Sequence, residues 1–215
     1  RLGSLVRERL AADASVYKVP VDQAEIYAIR DFLSAEECDH LIGMIDEVAQ
    51  PSQVFDVAPS AQYRTSYSGD INPHDSFVKM VERRLTDLLG IDPAWGECVQ
   101  GQRYREGQQF MAHCDWFDPN AQYWEIERGR GGQRSWTAMA YLCDVEEGGE
   151  TEFPLLGATI PPQRGALIAA AAIIKAQIIQ RQITQQPPMH RPSRGTVRRR
   201  FLKLDHAFAR IGRPG

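Results

Sequence analysis

Apolar residues recur at helical spacing soon after Ser34. Cys38, Leu41, Ile42, Ile45 and Val48 fall on one face, which predicts an amphipathic helix running to about Val48. Ser34-Ala35-Glu36-Glu37 is a capping-box signature at its start, with Leu33 as the preceding staple residue, and Pro51 lies just past its end. A second helix is predicted after Asn72-Pro73. It runs through Phe77, Val81, Leu85, Leu88 and Leu89 to a stop at Gly90. Leu2–Ala12 reads as a short amphipathic helix. Residues 16–30 alternate poorly and contain Pro20, which predicts an edge strand or a loop.

From Glu97 the pattern changes. Short alternating or apolar runs sit between Gly and Pro breaks, at residues 99–105, 109–116, 135–142, 151–153, 165–169 and 197–208. Such spacing predicts strands of a sandwich or barrel. Helices first and strands second give an α+β class, mainly β. Residues 1–95 then form a helical and strand support for a β core at 96–215, within one domain.

Composition adds limits. The 215 residues, 43% apolar, suffice for a sizeable core without disulfides. Four cysteines (Cys38, Cys98, Cys114, Cys143) show no CxxC pair and read as reduced thiols in a cytoplasmic protein. No signal peptide is visible, and the chain opens on Arg1 rather than Met, as a trimmed or partial chain would. The longest apolar stretch, residues 166–179, is interrupted by Lys175 and too short to span a bilayer, so no membrane partner is expected. The net charge of −3 conceals an asymmetry: residues 190–215 carry net +7 and the rest −10. A basic end can serve nucleic acid or an acidic partner, or be a solvated strand, and the last reading is preferred.

The candidate chemistry starts at His113-Cys114-Asp115. On an extended strand, side chains two residues apart point the same way, so an imidazole and a carboxylate would converge. With one further histidine they would complete a two-His-one-carboxylate triad, which leaves metal positions open. That histidine is one of His40, His74, His190 and His206. Tyr104 is either a donor into a cavity or an ordinary strand aromatic, and Thr137 either a ligand contact or a β-branched strand former. Glu150 reads as structural. The Arg198-Arg199-Arg200 run offers a bidentate cation for a carboxylate, against a solvated charge run. Trp116, Phe117, Tyr123 and Trp124 read as a peptide groove or as a cluster pinning a long loop.

In order, Arg64-Thr65-Ser66, Arg103-Tyr104-x-x-Gly107-Gln108, His113-x-Asp115, Gly131-Gly132-Gln133-Arg134, the Thr137 strand and Gly148-Gly149-Glu150-Thr151-x-Phe153-Pro154 resemble the prolyl 4-hydroxylase-like branch of the Fe(II)/2-oxoglutarate-dependent dioxygenases. The resemblance implies a double-stranded β-helix (jelly roll) with supporting helices. It implies that His113, Asp115 and His190 hold Fe(II), that Tyr104 and Thr137 contact 2-oxoglutarate, and that Arg200 pairs with its distal carboxylate. Arg199 takes that place if the register slips by one. It further implies O2 as co-substrate, ascorbate as a candidate reductant, and 4-hydroxylation of a prolyl residue in a peptide or protein, with release of succinate and CO2. Residues 169–186 depart from the family pattern, and His206 stands where the family has a Trp.

Three other readings stay open. A dioxygenase acting on a small molecule or free amino acid would need a small closed cavity. A non-catalytic jelly-roll binding module would keep the fold and lose turnover. A nucleic-acid demethylase is the least favoured, resting on the basic end alone.

Overall fold

The computed structural model describes residues 2–52, 63–171, 178–180 and 200–209; within the last two stretches only Lys203 is described beyond the backbone. Three long helices come early. α1 (Leu2–Ala12), α2 (Ala35–Val48) and α3 (Ser76–Leu89) precede most of the sheet, and a short α4 (Trp124–Arg130) lies within it.

The capping box at Ser34 forms as predicted. The Ser34 hydroxyl accepts from the Glu37 N–H and the Glu37 carboxylate accepts from the Ser34 N–H, so two of the helix's orphan donors are satisfied reciprocally. Cys38, Leu41, Ile42 and Ile45 are buried on the predicted face. α3 begins one turn later than Asn72-Pro73: Asp75 caps it through the Phe77 and Val78 N–H groups. Gly90 ends it at φ 67°, a left-handed position that suits glycine.

The strands are β1 (Val16–Lys18), β2 (Ile26–Ile29), β3 (Gln50–Pro51), β4 (Tyr67–Asp70), β5 (Gln100–Arg105), β6 (Phe110–His113), β7 (Arg134–Tyr141), β8 (Thr151–Phe153), β9 (Ala158–Ile160), β10 (Leu167–Ala171), β11 (Ile178–Gln180) and β12 (Arg200–Ala209). They form an eight-stranded sheet ordered β1-β2-β10-β7-β12-β5-β4-β3 and a four-stranded sheet ordered β6-β11-β8-β9, with antiparallel neighbours throughout. The Tyr141 hydroxyl of the large sheet meets the Thr151 hydroxyl of the small one at 2.6 Å, so the two sheets face each other. This is the double-stranded β-helix expected from the sequence.

Two expectations need correcting. Residues 16–30 are not only an edge: β1 is the edge strand, but β2 is interior, between β1 and β10, with Ile26, Tyr27 and Ile29 buried. Its poor alternation reflects cover on both faces, which removes the period-two signal. The basic segment, read as a solvated strand and a frayed end, is interior to the large sheet at residues 200–209. β12 pairs with β7 on one side and β5 on the other.

The helices lie outside the large sheet. α2 packs on β4 and β5, where Arg103 of β5 forms an ion pair with Asp46 of α2 at 2.9 Å. Residues 102 and 104 alternate to the opposite face, and that inner face carries the candidate site. Among the described residues no helix is long and apolar enough to cross a membrane, and all four cysteines are free.

Candidate active site

His113 is the last residue of β6, and Asp115 lies beyond the strand in a bend. The strand argument for their convergence therefore does not hold as stated. They nevertheless meet: His113 Nε2 and Asp115 Oδ1 are 3.5 Å apart, with 16% and 17% of their side chains exposed. His113 Nδ1 donates to the Met111 carbonyl at 2.9 Å, which leaves Nε2 as the nitrogen facing the carboxylate. Two acceptors aimed at each other repel unless a proton or a cation lies between them. Burial pushes the Asp115 carboxyl up. With His113 also protonated at Nε2, its hydrogen bond and charge, with the Arg134 guanidinium and the Thr137 hydroxyl, outweigh it and hold the carboxyl well below the usual range. It is thus an anion at neutral pH, as a metal ligand must be.

The local chain explains why His113 sits there. Residues 63–66 run antiparallel to β6: Met111 N–H donates to the Tyr63 carbonyl, Thr65 N–H to the Gln109 carbonyl, and Gln109 N–H to the Thr65 hydroxyl. The His113 ring stacks on Phe110, with centroids 3.7 Å apart and planes 12° from parallel. The Arg64 guanidinium lies 4.5 Å from the centre of the Phe110 ring. The Arg64-Thr65-Ser66 motif is thus a clip on the strand that carries the first ligand.

β7 supplies Thr137. Its Oγ1 is buried with no hydrogen-bond partner among the described residues, yet close enough to Asp115 to favour that anion. A buried hydroxyl with spare hydrogen-bonding capacity is a position able to receive a ligand. Tyr104 is buried on β5 and donates to Gln102 Oε1 at 2.7 Å. Gln102 and Tyr104 share the inner face.

Lys203 was not singled out from the sequence. It lies on β12 opposite Gln102 of β5 and Tyr141 of β7, is 4% exposed, and donates to Met139 Sδ at 3.2 Å. A lysine between Leu202 and Leu204 in a strand flanked on both sides was the available signal. Arg200 opens β12 opposite Arg105, and its side chain, like Arg199, lies outside the described residues. His190 also lies outside them, and of His206 only the backbone is described. His40 is exposed and stacks on Phe77 with centroids 4.3 Å apart; His74 is exposed and its N–H bonds Asn72 ahead of the α3 cap. Neither is brought to the site.

Sequence reasoning also gave no role to the ion pair that backs the site. Arg134 makes two 2.6 Å hydrogen bonds to the Glu97 carboxylate, and its guanidinium lies 4.4 Å from the centre of the Phe117 ring. Of the aromatic residues past Asp115, Phe117 and Tyr123 pack edge to face with centroids 6.0 Å apart. Glu150 precedes β8 in a turn whose Gly148 and Gly149 have φ of 83° and 74°, and one of its carboxylate oxygens is buried without a partner among the described residues.

The geometry fits what similarity shows. The model of the 2OG-Fe(II) oxygenase superfamily matches residues 99–193. The chain is 38% identical over 133 residues to Probable prolyl 4-hydroxylase 8 of Arabidopsis thaliana, covering 60% of this chain and 44% of that protein. It is 37% identical over 130 residues to Prolyl 4-hydroxylase 5 of the same plant, at 58% and 43% coverage. The matches thus span less than half the length of these curated relatives. Among solved structures, the viral collagen prolyl hydroxylase of Paramecium Bursaria Chlorella virus-1 in its 2OG complex superposes with a TM-score of 0.63 at 20% identity, over 86% of this chain and 96% of that one. A Trichoplax adhaerens prolyl hydroxylase in complex with a hypoxia inducible factor peptide fragment also gives 0.63, at 12% identity, over 97% and 89%. These structural likenesses establish the double-stranded β-helix.

Proposed function

We propose that this chain carries a prolyl 4-hydroxylase-like 2OG-Fe(II) oxygenase domain and is a 2-oxoglutarate-dependent dioxygenase that hydroxylates a prolyl residue of a peptide or protein. The observation that carries this reading is the meeting of His113 Nε2 and an ionised Asp115 beside the buried Thr137 hydroxyl.

An imidazole and a carboxylate are a suitable donor set for Fe(II). His113 and Asp115 would hold the metal, with His190 as the third ligand from the sequence pattern. When bound, Fe(II) supplies activation of O2 coupled to the oxidative decarboxylation of 2-oxoglutarate to succinate and CO2. The protein's part is to bind, orient and exclude water. The Met111 carbonyl fixes the His113 tautomer, and Arg134 adds a positive charge that favours the Asp115 anion. Thr137 offers a hydroxyl to the co-substrate. Tyr104 and Gln102 form a polar pair on the same inner face.

For the distal carboxylate of 2-oxoglutarate, Lys203 takes the role first given to Arg200. It is buried on the inner face, where an unscreened carboxylate gains most from it. A peptide substrate accords with the plant relatives' names and with the peptide bound to the Trichoplax enzyme.

The test is anaerobic titration of Fe(II) and 2-oxoglutarate, following the visible charge-transfer band of the chelate. The wild type should develop the band, and His113→Ala should not. Pro-containing peptides should then gain the mass of one oxygen. A folded wild type without the band would overturn the assignment.

A further inference from the structure

The geometry points to Gln133 as a positioning residue for Asp115. The Phe117 N–H donates to Gln133 Oε1 at 2.7 Å, and Gln133 Nε2 donates to the Phe117 carbonyl at 2.8 Å. One carboxamide therefore satisfies both polar main-chain groups of one residue, as a neighbouring strand would. Among uncharged side chains, only Asn and Gln present a donor and an acceptor in that fork.

The place of this clasp gives it a function. Asp115 has left β6 and has no ladder to fix it, and Phe117 is two residues farther on. Gln133 is the residue just before β7, the strand of Thr137. The clasp therefore ties the path of Asp115 to the rigid strand across the site. Gly132, at φ 78°, and Gly131 both donate to the Glu127 carbonyl, which ends α4 and turns the chain toward Phe117. Arg134 holds the Phe117 ring while Gln133 holds its backbone. A carboxylate ligand loose by an ångström binds metal poorly, so the clasp sets metal affinity without touching the metal.

This inference rests on the reading of His113 and Asp115 as ligands. Two measurements test it together: Co(II) titration followed by visible absorption, and backbone hydrogen exchange of the metal-free protein. Gln133→Ala should weaken Co(II) by about 10- to 100-fold and release the Phe117 amide to exchange, with β7 amides unchanged. Gln133→Glu keeps the volume and the acceptor but loses the donor, and should weaken Co(II) even if the alanine variant misfolds. Wild-type affinity in a variant whose Phe117 amide is released would reduce the clasp to a loop staple and overturn the proposal, as would a Phe117 amide that stays protected. A wild type that binds no Co(II) would instead show that the ligand assignment had failed, and the inference would fall with it.

Discussion

Gly69 of β4 and Gly101 of β5 stand directly opposite each other in register, and α2 lies on both. A Cβ on Gly69 would approach the Val48 carbonyl oxygen to 2.6 Å, and one on Gly101 would fall 2.2 Å from Ile45 Cγ1. The pair is a seat for the helix, and it sets the height of the outer layer on the strand that carries Gln102 and Tyr104.

Substitution at this seat should cost stability through overpacking. Gly101→Ala pushes on a fully buried, β-branched Ile45, and a loss of about 2 kcal/mol is expected. Gly69→Ala should cost at least as much, because it meets helix backbone rather than a side chain. Chemical denaturation of both variants checks the magnitude and the order.

Thr137→Val should separate stability from function. The hydroxyl is buried and favours the neighbouring Asp115 anion, so replacing it with a methyl in a strand should change stability by less than about 1 kcal/mol. The same change should weaken 2-oxoglutarate binding. A thermal melt and a 2-oxoglutarate titration, run on the same preparation, read the two effects.

Lys203→Met should raise the Kd for 2-oxoglutarate by roughly 10- to 100-fold, the loss of one charge-assisted contact. The fold should survive, since an apolar side chain of similar length replaces a buried ammonium. Arg200→Ala should leave the Kd little changed. The opposite order would return the distal carboxylate to Arg200.

Acid should weaken the hold of α2 on α3. The hydrogen bonds from Arg84 hold the Glu37 carboxyl below its ordinary value of 4.5, against the opposing effect of burial. A folded value below the unfolded one means that the contribution is complete above about pH 4.5 and is lost as pH falls through the folded value. Glu37→Gln retains the acceptor for the Ser34 cap and removes the charge, so its stability should fall less steeply over that range. Denaturation midpoints between pH 6 and pH 3, on the order of the range where carboxylates titrate, decide it.

Local signals were legible wherever one residue's chemistry decides the outcome. Ser34 and Glu37 announced a cap, Gly90 a stop, and the period of Leu41, Ile42 and Ile45 a buried face. Thr151–Phe153 was read to the residue. β2 was not, because a strand covered on both faces loses its alternation. His113 and Asp115 were legible as a pair, but for a partly wrong reason: a bend, rather than a continuous strand, brings them together.

The sequence by itself determined the three long helices, the strand-rich second half and the residue types able to hold a metal, because caps, periodicity and ligand chemistry are written over short stretches of chain. Tertiary structure alone decided that Lys203 is buried opposite Gln102, that Gln133 clasps Phe117, and that Gly69 faces Gly101 beneath α2. Those relationships depend on register and closure between segments far apart in the chain, and no local propensity encodes which residue of one strand meets which residue of another.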